Sequence, residues 1–191
     1  MNRRKAIGSI VAVGLTGVGV YSWTEYRSWY KNPDYQYLEN ARPTLSALAE
    51  TIIPTSDTPG AAGCDVDKFI VVMIRDCAEI RDANTFIDGL KKLAQYSYDM
   101  AGKKYEDCTT REQVIILRHF EEKGKPMGGL WGKVQKRYLG RSFFSILKDY
   151  TVQGFCTSQK GASQSLAYVP VPTAYHGCIP LQPGQHGWAT R

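Results

Sequence analysis

A chain of 191 residues with 43% hydrophobic, 22% charged and 12% aromatic side chains holds enough apolar material to close one core and is too short for two large domains. Its formal charge of +6 invites a nucleic-acid reading that the distribution of charge excludes. Residues 1–31 carry a net +4, residues 32–151 carry 17 cations and 17 anions, and residues 152–191 carry only Lys160 and Arg191, so the body offers no cation cluster for a phosphate backbone.

The chain opens with Met1-Asn2-Arg3-Arg4-Lys5, a basic head ahead of nineteen uncharged residues, Ala6 to Thr24. As a helix rising about 1.5 Å per residue, this stretch spans roughly 28 Å, close to the hydrocarbon core of a bilayer. The Arg3-Arg4 pair resembles a twin-arginine export signal, the type that carries proteins already folded. Tyr21, Trp23, Tyr26, Trp29 and Tyr30 crowd the outer end like an interfacial aromatic belt, and no Ala-x-Ala cleavage site is present. Residues 1–30 therefore read as a signal or an uncleaved anchor helix, with the cations in the cytoplasm and the remaining chain on the periplasmic side of the inner membrane. A cleaved signal peptide stays open, because Gly8, Gly14, Gly17 and Gly19 weaken the helix.

Residues 31–151 show helical periodicity without sustained two-residue alternation, which predicts an all-α, compact bundle of about five helices. Leu45, Leu48, Ala49 and Ile52 form a first stripe ended by Pro54, and the turn-rich segment Thr55 to Gly63 follows. A second helix is predicted from Asp65, as its cap, to Arg81, with Phe69, Ile70, Met73, Ile74 and Cys77 on its buried face. Phe86, Ile87, Leu90, Leu93 and Ala94 mark a third. Thr109 and Glu112 form a capping box that opens a fourth through Val114, Ile115, Leu117 and Phe120. A fifth is predicted over Lys133 to Thr151, burying Val134, Phe143, Ile146, Leu147 and Tyr150.

Residues 152–191 change character. They contain no acid, four prolines and five glycines, which predicts an irregular tail, yet Phe155, Tyr168, Tyr175 and Trp188 carry too much apolar surface for a solvated linker. The tail either wraps its own bundle or completes a partner interface, where Tyr and Trp are favoured. Five cysteines in an exported chain make disulfides possible. A Cys77–Cys178 bridge would staple the tail to the bundle and contribute about 4–5 kcal/mol in the chain-entropy model, while Cys156–Cys178 is the competing pair.

The catalytic templates fail on named residues. His119, His176 and His186 are the three histidines, and none forms an i, i+4 pair on a helix. No Cys-x-x-Cys occurs, Gly17-Val18-Gly19 lies in the export segment, and Gly128-Gly129-Leu130-Trp131-Gly132-Lys133-Val134 places Val134 where a phosphate loop needs Ser or Thr. Gly161-Ala162-Ser163-Gln164-Ser165 lacks the second glycine of a nucleophile elbow. No catalytic, cofactor-binding or metal-ligating set is assigned to this chain.

A series of motifs does have a counterpart: Leu48-Ala49-Glu50-Thr51-Ile52-Ile53-Pro54, Thr55-Ser56-Asp57-Thr58-Pro59-Gly60-Ala61, Phe69-Ile70, Asp76-Cys77, Phe143-Phe144-x-x-Leu147-Lys148, Thr151-Val152-Gln153-Gly154-Phe155, Tyr168-x-Pro170-x-Pro172 and Gly177-Cys178-x-Pro180. In this order, over residues 43 to 188, the chain resembles the gluconate 2-dehydrogenase subunit 3 family. The resemblance implies a non-catalytic small subunit of an exported dehydrogenase acting on sugars, sugar acids or glycosides. FAD and the catalytic histidine would belong to a large subunit of the glucose-methanol-choline type, with a cytochrome c subunit as a further candidate partner. The small subunit would assist assembly, lend Arg3 and Arg4 for export, and hold the complex at the membrane. A free-standing envelope scaffold or binding protein is the alternative class, and an enzyme in its own right is the third.

Overall fold

The computed structural model describes residues 31–125, 140–169, 171, 178, 180 and 183–189. The predicted signal or anchor over residues 1–30, and with it Arg3 and Arg4, lies outside the described residues. Within them the protein is helical, with five helices of seven residues or more and no strand. A short helix α1 (Tyr35–Asn40) precedes α2 (Arg42–Ile52), α3 (Val66–Val72), α4 (Ile80–Ala101), α5 (Thr110–Gly124) and α6 (Phe143–Thr157).

Local chemistry sets the ends of these elements. The Asp34 carboxylate accepts from the Tyr37 N–H at 3.0 Å and starts α1, while Pro43 sits in the first turn of α2, where its missing N–H costs nothing. The predicted capping box at α5 is formed in full: Thr109 and Glu112 each accept from the other's backbone N–H. Gly102, at φ +68°, closes α4 in the left-handed conformation that a glycine adopts cheaply.

α6 is the central element and packs against α2, α3, α4 and α5. Its Phe143, Ile146 and Leu147 meet Leu45 and Leu48 from α2, Ile70 from α3, Phe86 and Leu90 from α4, and Ile116 from α5 in one buried cluster. Each fully buried aliphatic or aromatic side chain contributes roughly 1.5–3 kcal/mol, so this cluster is the main source of stability. Two close approaches need glycine. A Cβ on Gly89 of α4 would stand 2.5 Å from Phe143 of α6, and one on Gly154 of α6 would stand 2.7 Å from the Phe69 ring of α3.

Three expectations are corrected. The second predicted helix is not continuous to Arg81: α3 widens into a π turn over Met73–Cys77, the chain is extended at Ala78 and Glu79, and α4 then begins. In this wider turn the Ala78 N–H reaches back to the Met73 carbonyl at 2.9 Å, so Ala78 packs on the core and Cys77 faces solvent rather than the buried stripe. Asp65 occupies the cap position of α3 but adopts φ +56° and makes no side-chain cap; its carboxylate pairs with Lys68 instead. The fifth helix starts at Phe143, not Lys133, and Val134 lies outside the described residues.

That last helix also runs past the predicted boundary at residue 151, to Thr157, and a second π turn follows over Gly161–Ser165. Composition averaged over forty residues hid this, because the prolines of the tail begin only at Pro170. Beyond the turn, Ala167 and Trp188 form an isolated parallel bridge through Ala167 N–H to Gly187 O (2.8 Å) and Ala189 N–H to Ala167 O (3.0 Å).

Candidate functional site

The turn-rich motif after α2 is built around one carboxylate. Glu50 Oε1 accepts from the Thr55 N–H (2.7 Å) and the Thr55 hydroxyl (2.6 Å), and its Oε2 accepts from the Ala62 N–H (3.0 Å). The Gly60 N–H then donates to Thr55 Oγ1 at 3.2 Å. Burial pushes the Glu50 carboxyl up, but hydrogen bonds from the Thr55 hydroxyl and the Ala62 and Thr55 N–H groups outweigh it and leave it below the usual glutamate range. A Cβ on Gly60 would fall 2.5 Å from Glu50 Oε2 and from the Thr55 N and Oγ1, so only glycine leaves room for this knot. The result is a fixed polar loop whose Pro54, Thr55, Ser56 and Asp57 face solvent.

Beside the loop lies a groove of about 280 Å³ between α2, α5 and α6, with Ile52, Val114, Leu117 and Phe144 inside and Arg118, Glu121 and Lys148 at its rim. It runs on past Glu121 and Lys148 towards Ser142 and Asp149. A second cleft of about 250 Å³ opens where α1, α2 and α4 meet the 3-10 turn Tyr105–Asp107, and it is lined by Tyr37, Tyr98 and Tyr105 with Asn40, Thr44, Lys104 and Glu106. Tyr105 is 1% exposed, lies 3.0 Å from Thr51 Oγ1 and donates to the Gln113 carbonyl at 3.3 Å. Burial drives its phenol up to about 12, with the Thr51 hydroxyl opposing. These residues come from separate elements, so no local spacing announced the cleft.

The tail residues singled out for a partner interface part company. Phe155, 8% exposed, sits on α6 inside the bundle core. Tyr168, next to the Ala167–Trp188 bridge, and Trp188, one of its two residues, remain 50% and 55% exposed, and Val169 and Val171 are exposed as well. Tyr175 lies outside the described residues. All five cysteines carry free thiols, so neither Cys77–Cys178 nor Cys156–Cys178 is bonded in this structure; Cys77 and Cys178 are exposed, whereas Cys64 and Cys108 are buried. The Cys108 thiol is engaged locally, donating to the Lys104 carbonyl at 3.3 Å and standing 3.4 Å from Ser97 Oγ.

Among the described residues, no group of three or more His, Cys, Asp or Glu side chains could hold a metal ion, and no helix is long and apolar enough to cross a membrane. His119 stacks on Tyr96 with ring centroids 4.4 Å apart, and His186 contacts the Ser165 carbonyl at 3.1 Å, so both are occupied by structural contacts. Compared with known proteins, residues 39–173 match the family model described as gluconate 2-dehydrogenase subunit 3. That span takes in the Glu50 loop, helices α2 to α6 and the first part of the tail. No curated protein and no solved structure matches the chain.

Proposed function

The chain belongs to the gluconate 2-dehydrogenase subunit 3 family, and from that premise we propose that it is the non-catalytic small subunit of an exported dehydrogenase complex acting on sugars, sugar acids or glycosides. FAD and the reacting histidine are assigned to a larger partner subunit, and none of the chemistry to this chain. The observation that carries this reading is the family match over residues 39–173. The exposed apolar side chains of Tyr168, Val169, Val171 and Trp188 support it, since uncharged surface of this kind is more costly to solvate than to cover.

The proposed division of labour uses distinct parts of the chain. The bundle supplies a rigid platform, the Glu50 loop and the tail patch supply recognition surfaces, and Arg3-Arg4 with the apolar run behind it supplies export and attachment to the inner membrane on its periplasmic side. A partner without its own signal crosses only when docked to this chain, so docking precedes export and assists assembly of the flavoprotein. A cytochrome c subunit is the electron acceptor this arrangement would hold nearby.

Affinity isolation of the tagged full-length chain from native membranes tests the proposal. The expected result is a co-isolated larger protein whose absorbance is that of an oxidised flavin and which is bleached by the sugar or sugar acid. Isolation of the chain alone, or sugar oxidation by the chain alone, would overturn it.

A further inference from the structure

The cleft between α1, α2 and the C-terminal half of α4 is not used by the reading above and shares no residue with the tail patch. Its volume of about 250 Å³ falls just below the roughly 300–1,000 Å³ of pockets that take drug-sized ligands, which limits it to one small ring or one side chain. Tyr37 and Tyr98 are among the residues that line it, and an aromatic face suits the C–H surface of a saturated ring.

Its polar groups have spare capacity. Glu106 accepts from the Thr44 hydroxyl through Oε2 at 2.9 Å, which leaves Oε1 unbonded among the described residues. The Asn40 amide and the Lys104 ammonium make no side-chain hydrogen bond or ion pair among the described residues. The neighbouring lysines, by contrast, are engaged: Lys91 with Asp34 at 2.8 Å and Lys103 with Glu112 at 2.9 Å. An amide, a carboxylate and an ammonium lining one cleft with two tyrosines offer both donors and acceptors, the requirement of vicinal hydroxyl groups.

The alternatives fit less well. A cation would suit Tyr faces and a carboxylate, but the Lys104 ammonium lines the same cleft, so a second cation meets repulsion. An apolar side chain would cover Asn40, Lys104 and Glu106 without replacing their water. We propose that this cleft is a binding site for a single monosaccharide-sized, polyhydroxylated ring, with Tyr37 and Tyr98 stacking on it and Glu106, Asn40 and Lys104 holding its hydroxyls. The site binds and carries no reaction.

The test is saturation-transfer NMR on the full-length chain, irradiating tyrosine ring protons in the presence of D-glucose, D-galactose, myo-inositol or, as the cationic arm, arginine methyl ester. Saturable transfer to ring protons of at least one polyol is expected, weakened at least tenfold by Tyr98→Ala and several-fold by Glu106→Gln. Tyr98 is half exposed, so its variant should keep the wild-type melting temperature. No transfer to any polyol, transfer unchanged in Tyr98→Ala, or stronger binding of the arginine ester would overturn the proposal. Co-isolation of a flavoprotein is read separately and should be unaffected by Tyr98→Ala, so failure here leaves the subunit reading standing and failure there leaves this one.

Discussion

Glu50 and Glu112 are both carboxylates whose ionised form the fold prefers, for different reasons. At Glu112 the Lys103 ammonium, followed by the Thr109 N–H and hydroxyl, holds the carboxyl down to about 2. A depressed folded value means that its contribution is complete above the ordinary glutamate value of 4.5 and fades as pH falls towards 2. Urea unfolding of the wild type and Glu112→Gln across that window should show two stability curves that converge in acid; parallel curves would rule the assignment out. Glu50 has more to lose. Glutamine keeps one carbonyl oxygen for Thr55, but its amide group then turns N–H towards the Ala62 N–H, so one bond is lost and a repulsion gained. Glu50→Gln should cost about 1–2 kcal/mol at neutral pH, discounted from a buried charged bond because the site is partly open. Its cost should shrink as pH falls below the normal glutamate range, measured by the same denaturant series. The Thr109–Glu112 box was legible in the sequence because all its partners lie within three residues. The Glu50 knot was not, because Ala62 reaches it only after twelve residues of loop turn back.

At the scale of elements, packing decides where sequence periodicity could not. Gly89 looks like a weak spot in α4, and replacing a mid-helix glycine by alanine ordinarily stabilises by roughly 0.5–1 kcal/mol. Here the added Cβ meets the Cβ and Cγ of Phe143 at 2.5 Å, atoms next to the backbone that cannot swing aside. Overpacking of this kind costs about 1–3 kcal/mol, so the sign reverses and Gly89→Ala should be net destabilising by about 1–2 kcal/mol. Thermal unfolding should show a fall of roughly 2–6 °C, and a rise would mean that α4 and α6 stand further apart than described. The stripes of α2 and α4 were readable because their apolar residues repeat at helical spacing over two turns or more, whereas on α5 the expected Val114 and Ile115 face solvent and Ile116 is buried beside Leu117. The break between α3 and α4 was not, since Met73, Ile74 and Cys77 keep that spacing in sequence while the π turn rotates Cys77 out of it. Helix α1 was missed for the opposite reason: six residues with one buried side chain, Leu38, give no period to detect.

For the molecule as a whole, charge and exposure point outward from the same end. From Gly161 to Thr190 there is no charged side chain, whereas residues 32–151 balance 17 cations against 17 anions. A neutral, half-exposed patch at the end of a charged bundle gains little from water and much from an apolar neighbour, and the bridge through Ala167 holds Tyr168 and Trp188 in place for it. The tail was only half legible: aromatic content flagged Phe155, Tyr168 and Trp188 alike, but composition cannot tell a core side chain on α6 from a surface one beyond it. That difference supplies its own control. Tyr168→Ala with Trp188→Ala should leave melting unchanged, because the side chains already face solvent, and should lower co-isolation of the flavoprotein from membranes at least tenfold. Phe155→Ala should do the reverse in kind, costing about 3–5 kcal/mol of bundle stability and reducing co-isolation only in proportion to the unfolded fraction. If the tail pair melts early, or leaves co-isolation intact while Phe155→Ala abolishes it in a folded chain, the partner is held by another face, and the groove lined by Ile52, Val114, Leu117 and Phe144 becomes the surface to mutate next.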